Sequence, residues 1–192
     1  VNQGLKSIGN YLPPVGENWV FANLVAAADG STTFGVDSTA LSSPRDRSRF
    51  HELRALADSI LIGGNTARTA PYAKTSKPLF VLTRSNRLPT PVSMNVKARA
   101  LNLEPAGALE VIYNTGAARI LVEGGPGLLK ELLTADLLDC LFLTITNATP
   151  NQNQINLKEL IATLHRSRLV KVSEENFLQE DFYIFSKTIA RQ

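Results

Sequence analysis

The chain has little sulfur and little histidine: one cysteine, one methionine and two histidines in 192 residues. A single thiol, Cys140, excludes an intramolecular disulfide. Its apolar neighbours Leu138, Leu141 and Phe142 mark it as a buried, inert group rather than a nucleophile. His51 and His165 stand far apart, and neither has a Cys, His or carboxylate set at ligand spacing, so no metal site is expected. No apolar run reaches the ~18 residues of a membrane span. The N-terminus shows no basic segment followed by an apolar core, so no secretory signal is expected and the default location is the cytoplasm. Charge of one sign is scarce too: 20 basic against 17 acidic residues leave a net charge of +3. The basic side chains are scattered, which argues against a nucleic-acid surface.

What is present is an ordinary globular composition, 44% apolar and 19% charged, which excludes a disordered chain. Its length suits one domain. Residues 1–17 read as an arm, broken by Pro13, Pro14 and Gly16, and residues 18–192 as a single domain. Residues 19–28 are apolar except for Asn23, the pattern of a strand buried on both faces. Asp29-Gly30 ends it with turn chemistry. A helix follows, with Ser43 as cap, Pro44 at its first position and Asp46 near the positive end of its dipole. Phe50, Leu53, Leu56 and Ala57 form its buried stripe, with Arg45, Arg49 and Glu52 largely on the other side.

Further strands are predicted over 59–62, 79–83, 96–103, 119–122, 141–146, 168–173 and 182–187, and further helices over 106–114, after Gly127 and over 157–165. Gly63-Gly64 and 84–94 read as turn and loop. Short buried strands alternating with helices predict a mostly parallel sheet covered on both faces, with an antiparallel finish.

Several strand ends carry residues suited to a ligand. Val122-Glu123-Gly124-Gly125 turns a buried strand straight into a helix, where glycines admit a close ligand and free N–H groups favour an anion. It is not the G-x-G-x-x-G fingerprint, and no acidic residue follows at the ribose-reading distance, so an ordinary Rossmann domain is disfavoured. Thr83-Arg84-Ser85 could hold the 2′-phosphate of NADPH by charge-assisted hydrogen bonds. Gly63-Gly64-Asn65-Thr66 repeats the theme of small residues after a strand. Each of these is also explained by a plain turn. Asp29 ends the first strand, where ligands of open α/β sheets gather. Asn23 is a lone amide in an apolar strand and needs a partner, in the backbone or in a ligand.

Taken in order, these segments resemble a known family. The series is Ala26-Ala27-Ala28-Asp29-Gly30, Ser42-Ser43, Leu53-Arg54-Ala55, Ile60-Leu61-Ile62-Gly63 with Thr66, and Leu121-Val122-Glu123-Gly124-Gly125. Leu137-Leu138-Asp139, leading into residues 141–145, completes it. The set is similar to the reductase domain of the bifunctional riboflavin-biosynthesis deaminase/reductase, over roughly residues 19–145. The resemblance implies an α/β, three-layer α/β/α dihydrofolate-reductase-like fold. It also implies reduction of 5-amino-6-(5-phosphoribosylamino)uracil to the ribitylamino product with NADPH, by a homodimer. By position it places Gly63, Thr66, Gly124 and Gly125 along the cofactor, with Thr83, Arg84 and Ser85 at its 2′-phosphate. Asn23, Ser42, Arg54 and Glu123 fall where the family contacts substrate, Arg54 meeting its phosphate or orienting an acidic group; Glu123 or Asp29 is expected to compensate in the catalytic role for a family carboxylate that this chain lacks. The family's Asp-x-Pro segment is replaced: after Thr66 the chain runs Ala67-Arg68-Thr69-Ala70-Pro71, with Ala70 about where the carboxylate belongs. Reduction of another pterin or pyrimidine, such as dihydrofolate, or a catalytically silent NADPH-binding protein are the competing expectations.

Overall fold

The computed structural model describes residues 8–11, 13, 16–35, 38–69, 72 and 75–187. Its eight strands form one sheet. They are β1 (Trp19–Ala27), β2 (Ser59–Gly63), β3 (Leu79–Leu82), β4 (Ala98–Leu101), β5 (Arg119–Val122), β6 (Cys140–Thr146), β7 (Leu169–Asn176) and β8 (Glu180–Lys187). Their order is β4-β3-β2-β5-β1-β6-β8-β7. From β4 to β6 every neighbouring pair is parallel; β8 then runs antiparallel to β6, and β7 to β8. This is the α/β architecture predicted from sequence, antiparallel finish included. β1 lies between β5 and β6, buried at every residue except Asn23, as a central strand covered on both faces must be.

Strand alternation sorts the core into two layers. Val20, Ala22 and Leu24 of β1, with Ile120 and Val122 of β5 and Leu141 and Leu143 of β6, face α4 (Pro105–Tyr113), α5 (Pro126–Thr134) and α6 (Leu157–Arg166). The intervening residues Phe21, Leu121, Cys140 and Phe142 meet Leu53 and Ala57 at α1 (Pro44–Leu56). Beside them, Ile60, Ile62 and Val81 pack with Ala67 of α2 (Gly64–Thr69) and Val92 of α3 (Thr90–Ser93). By the same alternation Asn23, Glu123 and Thr144 project toward α1. Cys140 is fully buried, and that burial pushes its thiol well up, as an inert core group requires.

The structure departs from the sequence reading in five places. Part of the arm is packed: Ile8, in a 3-10 turn over Ile8–Tyr11, is 3% exposed beside Trp19 and Phe21, and Arg119 donates to the Pro13 carbonyl. The Gly63-Gly64 turn opens the short helix α2, and α3 occupies part of the 84–94 loop. β7 runs on to Asn176. The largest correction concerns α1. Ser43 caps it as predicted, accepting from the Arg45 and Asp46 N–H groups. Its buried positions, however, are Asp46, Arg49 and Leu53, while Phe50 and Leu56 are only half-buried. Arg49 therefore points into the protein. Its guanidinium has a hydroxyl partner and an aromatic face there, which an apolar stripe would not have supplied.

Candidate active site

A crevice of about 380 Å³ opens at the carboxyl ends of β1 and β5, walled on one side by α1. That is where an open parallel sheet leaves room for a ligand. Asn23 contributes from β1, Ser42, Asp46, Phe50 and Arg54 from α1 and its approach, Thr66 from α2, and Glu123 to Pro126 from the turn after β5. Register brings the β1 and β5 residues together, since Ala22 pairs with Val122 at the end of the β1–β5 ladder and Asn23 and Glu123 are the next residues on each chain segment. Among the described residues, the side-chain oxygen of Asn23 is buried without a hydrogen-bond partner.

At one end of the crevice Glu123, 7% exposed, receives a bidentate pair from Arg54. Nε donates to Oε1 and Nη2 to Oε2, each at 2.6 Å. The Tyr72 hydroxyl donates to the same Oε2 at 2.7 Å. Arg54 lies 4.2 Å from the Phe50 ring centroid and 5.2 Å from that of Tyr72, so two aromatic faces fix its plane. Burial lowers the proton affinity of the Arg54 guanidinium, but the hydrogen bonds and charge of Glu123 outweigh this and raise it. The Tyr72 hydroxyl is pushed well above its usual value, by burial first and then by the Glu123 charge. Tyr72 is thus a neutral donor. Glu123, taking three donated bonds, is an acceptor.

At the other end Asp46, 2% exposed, accepts from the Ser42 hydroxyl at 2.5 Å on Oδ2 and from the Thr144 hydroxyl at 2.5 Å on Oδ1. Arg49 Nη2 donates to Thr144 Oγ1 at 2.6 Å, and its guanidinium lies 4.3 Å from the Phe182 ring centroid. Burial brings the Arg49 guanidinium down, opposed by the charges of Asp46, Glu180 and Glu175. Arg47 donates to the Ser42 carbonyl at 2.8 Å.

The turn between β5 and α5 suits an anionic group. A Cβ on Gly125 would meet nothing nearer than Thr66 Oγ1 at 4.0 Å, so its glycine leaves open space on the crevice side. Gly125 N–H donates to Thr66 Oγ1 at 3.3 Å. No side chain caps α5, leaving its first N–H groups for a ligand. Gly124 differs: a Cβ there would stand 2.7 Å from Leu128 Cδ2, so its glycine serves packing. The residues present therefore fit the phosphates of a dinucleotide at Gly125 and the N-terminus of α5.

Of the residues selected from sequence, the crevice brings together Asn23, Ser42, Arg54, Thr66, Glu123, Gly124 and Gly125. Gly63, Thr83, Arg84 and Ser85 lie outside its lining, at the ends of β2 and β3. Gly64 links those ends, since its Cβ would lie 3.4 Å from Thr83 Oγ1. Arg84 and Ser85 are exposed, and Ser85 N–H donates to Thr83 Oγ1. Asp29 also lies outside the lining. Its carboxylate accepts from the Ser31 and Asn151 N–H groups at 2.9 Å each. Slight desolvation would raise this carboxyl, but those hydrogen bonds hold it below its usual value. Gly30 beside it has φ +86°, with Ile155 O only 2.2 Å from where a Cβ would be, so this turn is locked to the 150s segment. Ala70 lies outside the described residues. Sequence reasoning missed Tyr72, Asp46, Arg49 and Thr144. The spacing Asp46, Arg49, Leu53 is itself helical, and was hidden because two of the three are charged.

Residues 18–149 match the family model described as the RibD C-terminal domain. No curated protein matches the chain. Among solved structures it is similar to RibD of Acinetobacter baumannii, with a TM-score of 0.69 at 14% identity, over 91% of this chain and 59% of that one. The chain thus spans less than two thirds of that protein's length. It is also similar to a pyrimidine reductase-like protein from Corynebacterium diphtheriae, with a TM-score of 0.63 at 17% identity over 90% of this chain and 92% of that one. A third similar structure is the riboflavin biosynthesis reductase Rib7 of Saccharomyces cerevisiae, with a TM-score of 0.60 at 15% identity over 94% and 97%. At these identities the solved structures speak for the fold.

Proposed function

The chain belongs to the RibD C-terminal domain family, and from that premise we propose that it is an NADPH-dependent reductase of 5-amino-6-(5-phosphoribosylamino)uracil, giving the ribitylamino product. The observation that carries this is the meeting, in one crevice, of an uncapped helix N-terminus at Gly125 with a polar wall from α1. NADPH, when bound, supplies the hydride, delivered to C1′ of the opened ribose.

The chain's own residues do the rest. Gly125 and Thr66 hold the phosphates, Gly124 lets the turn pack closely on Leu128 beside them, and Gly63 borders their path toward β3. Thr83, Arg84 and Ser85 take the 2′-phosphate at the end of β3, two strands from β5 and hence about 10 Å away on the same end of the sheet. Asn23 and Ser42 face the heterocycle. Arg54 acts on Glu123 rather than on a phosphate, since two of its nitrogens are already committed there. Glu123, fixed by Arg54 and Tyr72, takes the catalytic place beside the reacting atoms and orients the water that supplies the proton. Asp29 has its acceptors engaged by backbone at the neighbouring turn and is left a structural part. A homodimer in the cytoplasm completes the reading; no described helix is long and apolar enough to cross a membrane.

The test is oxidation of NADPH on adding the phosphoribosylaminouracil, together with binding of NADPH and NADH. NADPH should bind more tightly, and Arg84→Ala should shrink that preference by roughly tenfold or more, the worth of one charge-assisted hydrogen bond. Equal affinity for both cofactors removes the assignment of Arg84. Tight NADPH binding without turnover of any pyrimidine favours a catalytically silent protein.

A further inference from the structure

Two carboxylates line the crevice, and only Glu123 has an arginine of its own. Asp46 is 2% exposed, yet among the described residues no Lys, Arg or His nitrogen lies within 4 Å of its oxygens. Its neighbours are two hydroxyls, each spending its single proton on a different oxygen. The Arg49 guanidinium is held off by the intervening Thr144 hydroxyl, and a buried carboxylate without a direct cation gains from every further donor that reaches it. Each oxygen still has a free lone pair, and the side of Asp46 that is not packed faces the crevice. Ser42, with its proton committed to Asp46, likewise offers the crevice only lone pairs. Asp46 and the Ser42 hydroxyl thus present acceptors side by side, next to the Arg47 guanidinium that donates to the Ser42 carbonyl.

We infer that Asp46, with Ser42, is an acceptor subsite that selects a heterocycle presenting two adjacent N–H donors. The inference rests on the reading above and sharpens it, because the aminouracil ring carries such a pair, the N1–H beside the exocyclic 6-N–H. Its imide edge, where N3–H is flanked by two carbonyl oxygens, would set acceptors against the Asp46 carboxylate. The 5-amino group beside the 6-N–H is a second donor pair, but its N–H directions are less parallel; the amidine-like N1–H and 6-N–H match the two carboxylate oxygens, so the ring enters with its N1 side toward α1. Thr144 and Arg49 act through Asp46: they anchor it from β6 and the core and touch no ligand.

The experiment is calorimetric titration of 5-amino-6-(ribitylamino)uracil and its N1-methyl analogue into the NADPH-loaded protein, for wild type, Asp46→Asn and Ser42→Ala. Wild type should prefer the parent compound by roughly tenfold to a hundredfold, as for a hydrogen bond to a charged group. Asp46→Asn should bind both compounds alike while keeping wild-type affinity for NADPH, which also reports that it is folded. Ser42→Ala should reduce the preference without abolishing it. Should Asp46→Asn not fold, the wild-type preference and its reduction in Ser42→Ala carry the test. Equal binding of the two compounds by wild type, or an undiminished preference in Asp46→Asn or Ser42→Ala, overturns the subsite while leaving the reductase reading in place. Binding of neither compound overturns the pyrimidine reading, and the subsite with it.

Discussion

The two ends of the crevice solve the same problem in opposite ways. Glu123, at the end of β5, meets its counter-charge inside the chain, from an arginine clamped between Phe50 and Tyr72. Asp46, on the first turn of α1, meets only hydroxyls, and the nearest arginine behind it reaches Thr144 instead. A carboxylate neutralised by the protein can orient and shape, but it has little left to recognise. One partnered by hydroxyls alone keeps its charge for something that arrives. The contrast separates a rigid end beside the β5 turn from a receptive end beside Ser42.

Breaking the neutralised end should have the largest effect. Arg54→Ala leaves Glu123 buried without a cation, and removing one partner of a buried pair costs about 3–5 kcal/mol. Arg54 has 27% of its side chain exposed, so we expect a value near the lower bound, about 3 kcal/mol, read from urea unfolding. A loss below ~1 kcal/mol would mean that solvent already screens the pair, and the contrast between the two ends would vanish. At the receptive end the corresponding change is Thr144→Val, which deletes a hydroxyl of nearly the same shape. It strips Asp46 Oδ1 of its donor and Arg49 Nη2 of its acceptor, in a side chain whose Nε is already unpartnered. We expect a loss of about 2 kcal/mol. Thr144→Ser should restore most of it, because the hydroxyl rather than the methyl carries the network.

These ends differed as much in legibility as in chemistry. Asn23 and the Val122-Glu123-Gly124-Gly125 turn stand out in sequence because each interrupts an apolar strand, and burial on both faces leaves few reasons for a polar or absent side chain. The parallel order was equally readable from runs such as residues 19–28 and 119–122. Asp46 and Arg49 were invisible as interior residues, since helical patterning counts apolar positions and places charges outside. Their burial depends on Thr144, 98 residues from Asp46, arriving on β6 with its hydroxyl on the same face. Tyr72 was missed for a similar reason. It sits outside any regular element that periodicity detects, and its role is set by Glu123, 51 residues away. Local pattern reports what a segment does to itself; a polar contact between distant segments leaves no period to read.

The smallest effect is the most exacting test, because it changes with pH in a direction the geometry dictates. Tyr72→Phe removes one hydrogen bond to Glu123 and leaves the bidentate arginine in place, so at neutral pH it should cost only about 1 kcal/mol. Burial and the Glu123 charge hold the Tyr72 hydroxyl well above its usual value, so the folded chain keeps this proton when the unfolded chain has lost it. An unfolded tyrosine ionises near pH ~10. Below that pH both states are protonated and the full contribution of Tyr72 is present. Above it the unfolded state releases its proton while the folded state cannot, so stability falls by up to ~1.4 kcal/mol per pH unit. Phenylalanine has no such proton, and the other tyrosines cancel in the comparison. The wild-type advantage over Tyr72→Phe, measured by urea unfolding at about pH 8 and about pH 11, should therefore shrink at the higher pH and approach zero or reverse. An advantage that is constant across that range would mean Tyr72 ionises equally in both states. The neutral donor that completes the closed end of the crevice would then be lost.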